Sequence, residues 1–174
     1  MSFGWEGKLT RLVPLDLGIH FENAYRWMND PEVTQFLLAG DLPITRLQEE
    51  EYFRTAATDT NIPFAIETLA GEHIGFSGLH RIDWRNGHAI TGTVLGAKEH
   101  WGKGLGTDAA MTRTEYARKV LGLRILTSDV FASNERSLRM LEKSGYERTG
   151  VIPKRYFKRG EFHDAVMMVN LFER

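Results

Sequence analysis

The middle of the sequence changes abruptly from a strand pattern to a helix pattern, and this change restricts the fold more than any other feature. Between residues 62 and 96, three short apolar segments (IPFAIETL, HIGFSGLHRI and AITGTVLG) are separated by the turn signals AGE at 70–72 and RNG at 85–87. Such spacing is typical of antiparallel hairpins. A helix, a strand, a helix and two strands then follow. The sequence therefore predicts an α/β fold of the α+β type, in which one mixed, mostly antiparallel sheet carries helices on both faces.

Residues that are typical of helix and strand ends predict where the elements of this fold begin and end. Asp16 predicts the start of a helix over 16–29, and Thr45 with Gln48 has the capping-box spacing that opens the next helix. A third helix over 104–121 has one predicted buried face: Leu105, Ala109, Thr112, Tyr116 and Val120. The remaining predictions are strands over 7–15, 124–131, 146–157 and 163–172, and a helix over 132–145 capped by Asn134. The predicted order is β-α-α-β-β-β-α-β-α-β-β, with seven strands.

Composition limits the partners and the chemistry of the chain. Its 174 residues predict a single domain over 1–174. A net charge of −1 gives no electrostatic reason to expect nucleic acid or an anionic membrane as partner. The absence of cysteine excludes disulfides, thiolate metal sites and a cysteine nucleophile, and no metal is expected. No segment has the roughly 18 apolar residues of a membrane-spanning helix or the pattern of a signal peptide, so we expect a cytoplasmic location.

Three glycines crowd the start of the third helix, in the stretch WGKGLGT at 101–107. Glycine in a helix costs about 1 kcal/mol relative to alanine, so three of them in five residues indicate a role for bare backbone. Backbone N–H groups at a helix N-terminus have no internal acceptors, and the helix dipole favours negative charge there. The stretch therefore predicts a cradle for a pyrophosphate, to which Lys103 adds charge and Thr107 a hydroxyl.

Two known phosphate-binding patterns can be compared with this stretch. The Walker pattern is absent, because Lys103 is followed by Gly104 rather than by Ser or Thr. The Rossmann pattern fits Gly104, Gly106 and Ala109, yet the segment GAKEHWGK separates these glycines from the preceding strand. A glycine-rich turn without any ligand is also compatible with the residues.

The stretch GTVLGAKEHWGKGLGTDA resembles the coenzyme A loop of the GNAT superfamily of N-acetyltransferases. That loop has the pattern [QR]-x-x-G-x-[GA], which falls here on residues 101–106. Trp in the first position is usual in the ribosomal-protein N-terminal acetyltransferase branch, which is RimJ/RimL-like. Similar segments of that branch match W-x-N-D-P-E-V at 27–33, the hairpin at 74–89, N-x-x-S-x-R-x-L-E-K-x-G-[FY] at 134–146 and G-x-x-x-D at 160–164.

This resemblance implies a seven-stranded sheet whose fourth and fifth strands splay apart and hold acetyl-CoA between them. Backbone groups of Val94 and Leu95 would pair with the pantetheine arm, which Asn134 would also bind. The N–H groups of 103–107 would bind the pyrophosphate. The cofactor-binding residues implied are Val94, Leu95, Trp101, Gly102, Lys103, Gly104, Leu105, Gly106, Thr107, Asn134, Arg139 and Lys143.

The reaction implied is direct attack of an amine on the thioester, with the N–H near Leu95 as donor to the oxyanion. Two usual catalytic positions differ in this sequence. The usual glutamate base falls on Ile90, and the usual tyrosine acid on Leu141. Ser137 is the substitute proton donor that the branch implies. For the base, His80 is one candidate because its ordinary pKa lies near 6.5, and Asp164 or water are others.

The branch resemblance favours a peptide N-terminal amine as acceptor, while polyamines and aminoglycosides are alternatives. A polyamine site would need several acids in the cleft, and the candidates are Glu22, Asp30, Glu32, Asp41 and Glu49 to Glu51. Aromatic candidates for the cleft are Trp27, Phe36, Tyr52, Trp84, Tyr156 and Phe157. A non-catalytic acyl-CoA-binding module is a further alternative, and a homodimer is compatible with the sequence.

Overall fold

Seven strands form one sheet in the computed structural model, which describes residues 5–172, so both ends of the predicted domain lie outside the described residues. The strands are β1 (Thr10–Pro14), β2 (Ile62–Thr68), β3 (His73–Asp83), β4 (His88–Leu95), β5 (Ile125–Phe131), β6 (Glu147–Lys158) and β7 (Glu161–Leu171). The helices are α1 (Leu17–Met28), α2 (Arg46–Thr55), α3 (Leu105–Lys119) and α4 (Glu135–Lys143). The spatial order β1-β2-β3-β4-β5-β7-β6 confirms the predicted mixed sheet.

The predicted helix starts are confirmed by their capping bonds. Asp16 Oδ1 accepts the Ile19 N–H at 3.0 Å. Thr45 and Gln48 form the complete capping box, with each side chain bonded to the other residue's backbone. These bonds satisfy N–H groups that have no acceptor inside the helix, so local sequence fixes where each helix begins.

The helices divide between the two faces of the sheet. Side chains alternate along β3, so Phe76 faces one side and Ser77 the other. Phe76 contacts Trp27 of α1, with ring centroids 5.8 Å apart. On the opposite face, Phe64 of β2 meets Tyr116 of α3 at 5.4 Å. Helices α1 and α2 therefore cover one face, and α3 and α4 cover the other.

Strands β4 and β5 are the one parallel pair in the described sheet, and they pair only over a short distance. Their register runs from His88 opposite Ile125 to Ile90 opposite Thr127. Beyond it, the Ser128 hydroxyl donates to the Thr91 carbonyl at 3.1 Å. A side-chain hydrogen bond thus replaces backbone pairing where the two strands separate. The predicted splay of the fourth and fifth strands is confirmed.

One predicted buried position is wrong. Val120 is 53% exposed, because α3 ends at Lys119 and the chain turns through Gly122, whose φ is +66°. The buried face of α3 instead contains Arg113, whose exposure is 0%. No helix within residues 5–172 is long and apolar enough to cross a membrane.

Candidate active site

A groove of about 1000 Å³ opens where β4 and β5 separate. Its walls are the second half of β4, the end of β5, the N-terminal turns of α3 and α4, and the segment that follows α1. Most of the residues predicted to bind acetyl-CoA line this one groove: Val94, Leu95, Trp101, Gly102, Gly104, Leu105, Gly106, Thr107, Asn134, Arg139 and Lys143. Ser137 and His80 line it as well.

The N-terminus of α3 presents bare backbone donors to this groove. Gly104 is the N-cap residue with φ +84°, and no side chain caps the helix there. The first helical bond at this end joins the Asp108 N–H to the Gly104 carbonyl at 3.0 Å. The N–H groups of Leu105, Gly106 and Thr107 therefore have no acceptor within the described residues, and they can bind an anion.

The three glycines serve two different purposes. Gly102 and Gly104 have φ values of +76° and +84°, which side chains other than glycine adopt at a cost. Gly106 is helical, but a Cβ there would lie 3.2 Å from Leu95 Cδ1 and 3.5 Å from Met140 Sδ. A side chain at Gly106 would therefore crowd the space between α3, β4 and α4.

Trp101 connects the glycine-rich loop to strand β4 through a side-chain hydrogen bond. Its indole N–H donates to the Leu95 carbonyl at 2.9 Å, and the Arg136 guanidinium lies 4.9 Å from the centre of its ring. Arg136 also lines the groove, although the sequence did not single it out. The sequence feature that could have identified Arg136 is its position two residues after the N-cap Asn134, on the helical turn that lines the same groove.

The first turn of α4 places two polar side chains in the groove. Asn134 Oδ1 accepts the Ser137 N–H at 3.2 Å, so the cap leaves the Asn134 amide NH₂ free to donate. The Ser137 hydroxyl has no hydrogen-bond partner among residues 5–172. Arg139 and Lys143 follow on the same helix and form no ion pair with any described residue. This helix therefore offers two neutral polar groups and unpaired positive charge.

Backbone direction along β4 decides which groups face the gap. The carbonyls of Thr91 and Leu95 accept side-chain bonds from Ser128 and Trp101, on the side away from β3. Backbone groups alternate along a strand, so Thr93 also faces the gap, while Val94 faces β3. The Thr93 and Leu95 N–H groups are thus available beyond the β4–β5 ladder, and Val94 contributes its side chain to the groove.

His80 lies on the α1–α2 face, half-buried at the edge of the groove. Its ring lies over the Gly78–Gly92 pair, and a Cβ at Gly78 would come within 2.8 Å of its Nε2. No hydrogen bond joins its ring nitrogens to a residue between 5 and 172. Burial, and then the charge of Arg113, lower the pKa of His80 below its ordinary value. The imidazole is therefore neutral at pH 7 and can accept a proton.

Other candidates for the base are used for structure. The Asp164 carboxylate accepts the Lys154 N–H at 2.7 Å and holds a residue whose φ is +51°. Asp83, at the end of the same strand as His80, also has a structural role: it accepts both the backbone N–H and the side-chain amide of Asn86, at 2.9 and 2.7 Å. Ile90 and Leu141, the positions of the usual base and acid, carry no titratable group.

A buried polar network lies behind β4 and was not predicted from the sequence. Arg113 Nη1 donates to the Gly92 carbonyl at 2.8 Å, to Thr93 Oγ1 at 2.7 Å and to Ser77 Oγ at 3.2 Å. Its Nη2 lies 3.5 Å from the hydroxyl of Tyr146, which contacts Thr91 Oγ1 at 3.1 Å. No carboxylate in the described chain pairs with this guanidinium.

The acceptor side of the groove is aromatic, and most of the acids considered for a polyamine are already paired. Phe36, Tyr52 and Tyr156 line it, whereas Trp27, Trp84 and Phe157 do not. Most of the acids considered for a polyamine site form ion pairs: Glu22 with Arg46, Asp30 and Glu32 with Lys98, Asp41 with Lys158, and Glu50 with Arg54. Residues 5–172 contain no cluster of side chains that could hold a metal ion.

Two curated N-acetyltransferases are similar to this chain in sequence. The uncharacterized N-acetyltransferase p20 of Bacillus licheniformis is 28% identical over 155 residues, which are 86% of this chain and 85% of that protein. An L-methionine sulfoximine/L-methionine sulfone acetyltransferase of Pseudomonas aeruginosa is 25% identical over 144 residues, which are 80% and 82% of the two chains.

A solved structure resembles this fold, and a family model matches most of the sequence. The spermidine N-acetyltransferase of Vibrio cholerae, in complex with CoA and spermine, superposes with a TM-score of 0.84 over 93% of this chain and 95% of that one. Its identity of 21% establishes likeness of fold. The sequence model of the acetyltransferase (GNAT) domain matches residues 10–147. The chain therefore belongs to the GNAT family and is an N-acetyltransferase.

Proposed function

We propose that this enzyme transfers the acetyl group of acetyl-CoA to an α-amine, with the N-terminus of a peptide as acceptor. One observation carries the donor half of this proposal: Leu105, Gly106 and Thr107 direct unpaired N–H groups into the groove that begins at the β4–β5 gap. A diphosphate matches these donors in charge and in hydrogen-bonding capacity. Unpaired cations at Arg139 and Lys143 favour the remaining phosphate charge of the nucleotide.

Residues beyond the cradle would hold the rest of acetyl-CoA. The Leu95 N–H can pair with the amide-rich pantetheine arm as a neighbouring strand would, and the Thr93 N–H then lies nearer to the thioester. The Asn134 side-chain NH₂ adds a donor at the mouth of α4. These contacts would leave the thioester in the gap between β4 and β5, beside the α1–α2 face.

The pairing of most candidate acids favours an α-amine over a polyamine. A polycation needs unpaired carboxylates, yet Lys98 alone occupies both Asp30 and Glu32 at 2.9 Å. Polyamine nitrogens also resemble the Lys amine, with a pKa near 10.4, so removing a proton at pH 7.5 costs about 4 kcal/mol. An α-amine has a pKa of about 7.7–8.0, so the same step costs well under about 1 kcal/mol.

This lower cost agrees with a site that has no glutamate at Ile90. We assign proton acceptance to His80, directly or through a water, because its ring nitrogens are unpaired and its lowered pKa keeps it neutral. The attacking nitrogen forms a bond to the carbonyl carbon, the carbon–sulfur bond breaks, and the departing thiolate takes a proton. Ser137, whose hydroxyl is unpaired and lines the groove, donates that proton and regains one from water.

A thiol-release assay with acetyl-CoA tests the proposal. The panel contains a lysine-free peptide, the same peptide with a blocked N-terminus, free amino acids, spermidine and an aminoglycoside. We expect the free peptide to give the highest kcat/KM, and the blocked peptide to release no thiol above background. Free amino acids separate recognition of an α-amine alone from recognition of the peptide.

Two results would change the assignment. A higher kcat/KM for spermidine than for any α-amine would replace the acceptor class. Tight binding of acetyl-CoA without thiol release from any amine would indicate a non-catalytic acyl-CoA-binding module.

A further inference from the structure

Arg113 is the largest fully buried side chain of the described protein, and its charge has no carboxylate partner. Burying a lone guanidinium costs several kcal/mol, so an arginine without a counter-ion needs compensation. Here its partners are neutral: a backbone carbonyl and the hydroxyls of Ser77 and Thr93. Its Nε, moreover, has no partner at all. An apolar residue would fill this position at a lower cost in folding free energy, so stability alone does not account for the arginine.

One of these bonds connects the charge to the groove. The Gly92 carbonyl accepts from Arg113 Nη1 at 2.8 Å, and that carbonyl belongs to the same peptide group as the Thr93 N–H. In a trans peptide the two groups point in opposite directions. Because the carbonyl faces β3 and the guanidinium, the Thr93 N–H faces the β4–β5 gap.

A cation bonded to a carbonyl strengthens the N–H at the other end of the peptide group, because hydrogen bonds in a chain polarise one another. The effect is larger here than at the surface, since the guanidinium is shielded from water. Thr93 Oγ1, bonded to the same Nη1 at 2.7 Å, restrains the residue that carries the donor.

We propose that Arg113 is a positioning residue for the acetyl-transfer reaction: it fixes and polarises the Gly92–Thr93 peptide, so that the Thr93 N–H, rather than the Leu95 N–H that the family resemblance implies, donates to the thioester oxygen. This inference rests on the proposed function. The oxygen gains negative charge as the amine attacks, so a stronger donor lowers the barrier more than it tightens binding of the donor substrate. Arg113 therefore acts on kcat through a backbone amide and touches no substrate itself.

Infrared difference spectroscopy of bound acetyl-CoA, labelled with ¹³C at the thioester carbonyl, reports the donor without needing an acceptor. In the wild type, we expect the carbonyl band to shift to lower frequency than in free acetyl-CoA. Arg113→Gln and Arg113→Met remove the charge, so their band should lie close to the frequency of free acetyl-CoA. Arg113→Lys should keep most of the wild-type shift. The matched control is Arg118→Gln, which removes an exposed charge from the same helix.

Kinetics and binding separate this role from a purely structural one. In Arg113→Gln we expect kcat to fall at least tenfold while the acetyl-CoA Kd stays within threefold, and Arg118→Gln should match the wild type in both. An unshifted band in the wild type, an unchanged band in folded Gln or Met variants, or a loss of affinity equal to the loss of kcat would overturn the inference. If Gln and Met do not fold, a band in Arg113→Lys as high as in free acetyl-CoA overturns it equally. Failure of the wild type to bind acetyl-CoA would instead overturn the proposed function.

Discussion

Replacing Gly104 by alanine should weaken acetyl-CoA binding through backbone geometry alone. Gly104 has a φ of +84°, and a Cβ there would meet only Leu9 Cδ1 at 3.8 Å, so the methyl group causes no clash. An L-residue in this left-handed region is disfavoured by about 1–2 kcal/mol. The free loop relaxes from this conformation, which turns the first N–H groups of α3 away from the groove. Binding must restore the loop, so we expect the Kd to rise about 5- to 30-fold.

Gly122 provides the matched control at the other end of the same helix. Its φ is +66° and a Cβ there would meet nothing within 4 Å, so Gly122→Ala carries similar strain far from the cradle. Gly122→Ala should lose about 1–2 kcal/mol of stability, seen as a Tm lower by about 2–8 °C, and Gly104→Ala should lose less, because its loop relaxes in the free protein. Isothermal titration with acetyl-CoA should show weaker binding for Gly104→Ala only. Equal affinities for the two variants would refute the assignment of the cradle.

Three further predictions concern the catalytic base and stability. His80→Ala should lower kcat/KM at least tenfold at neutral pH with little change in Kd for acetyl-CoA; an unchanged pH–rate profile would remove His80 as the base. Burial, and then the charge of His20, lower the pKa of His73 to about 4. The unfolded chain binds this proton with a pKa near 6.5, so stability is complete above pH 6.5 and falls as pH drops toward 4, by about 2 kcal/mol at pH 5. Urea unfolding at pH 8 and pH 5 should show that difference in the wild type and not in His73→Asn. An equal difference in both proteins would exclude His73 as the source of the pH dependence. The Asp108 carboxylate accepts hydrogen bonds from the N–H groups of residues 8, 9 and 10 and from the Thr10 hydroxyl, at 2.7–3.0 Å. Asp108→Ala should lower the free energy of unfolding in urea by about 2–4 kcal/mol. A decrease below about 0.5 kcal/mol would contradict the role of these bonds.

Sequence reasoning succeeded where the signal is local. The capping bonds of Asp16 and Thr45 join residues three apart, so the pattern itself contains the interaction. The glycine-rich stretch is similar: positive φ at Gly102 and Gly104 and the bare N-terminus of α3 involve consecutive residues. The turn at Gly160, with φ +87°, follows from its own residue type.

Sequence reasoning failed where the partners lie far apart in the chain. Arg113 resembles a solvated charge on α3, and only the pairing of Ser77 with Thr93 brings its acceptors under the helix. Several acids considered for a polyamine site likewise pair with partners distant in the chain, such as Lys158 for Asp41. Val120 fits the helical spacing of a buried face, but the helix ends one residue before it.

Backbone amide NMR on addition of coenzyme A examines the cradle itself. If the N–H groups of Leu105, Gly106 and Thr107 bind the diphosphate, their proton resonances should shift strongly downfield with coenzyme A and hardly at all with pantetheine, which lacks the diphosphate. Saturable coenzyme A binding that leaves these three resonances unmoved, or equal shifts with both ligands, would show that α3 does not bind the phosphates.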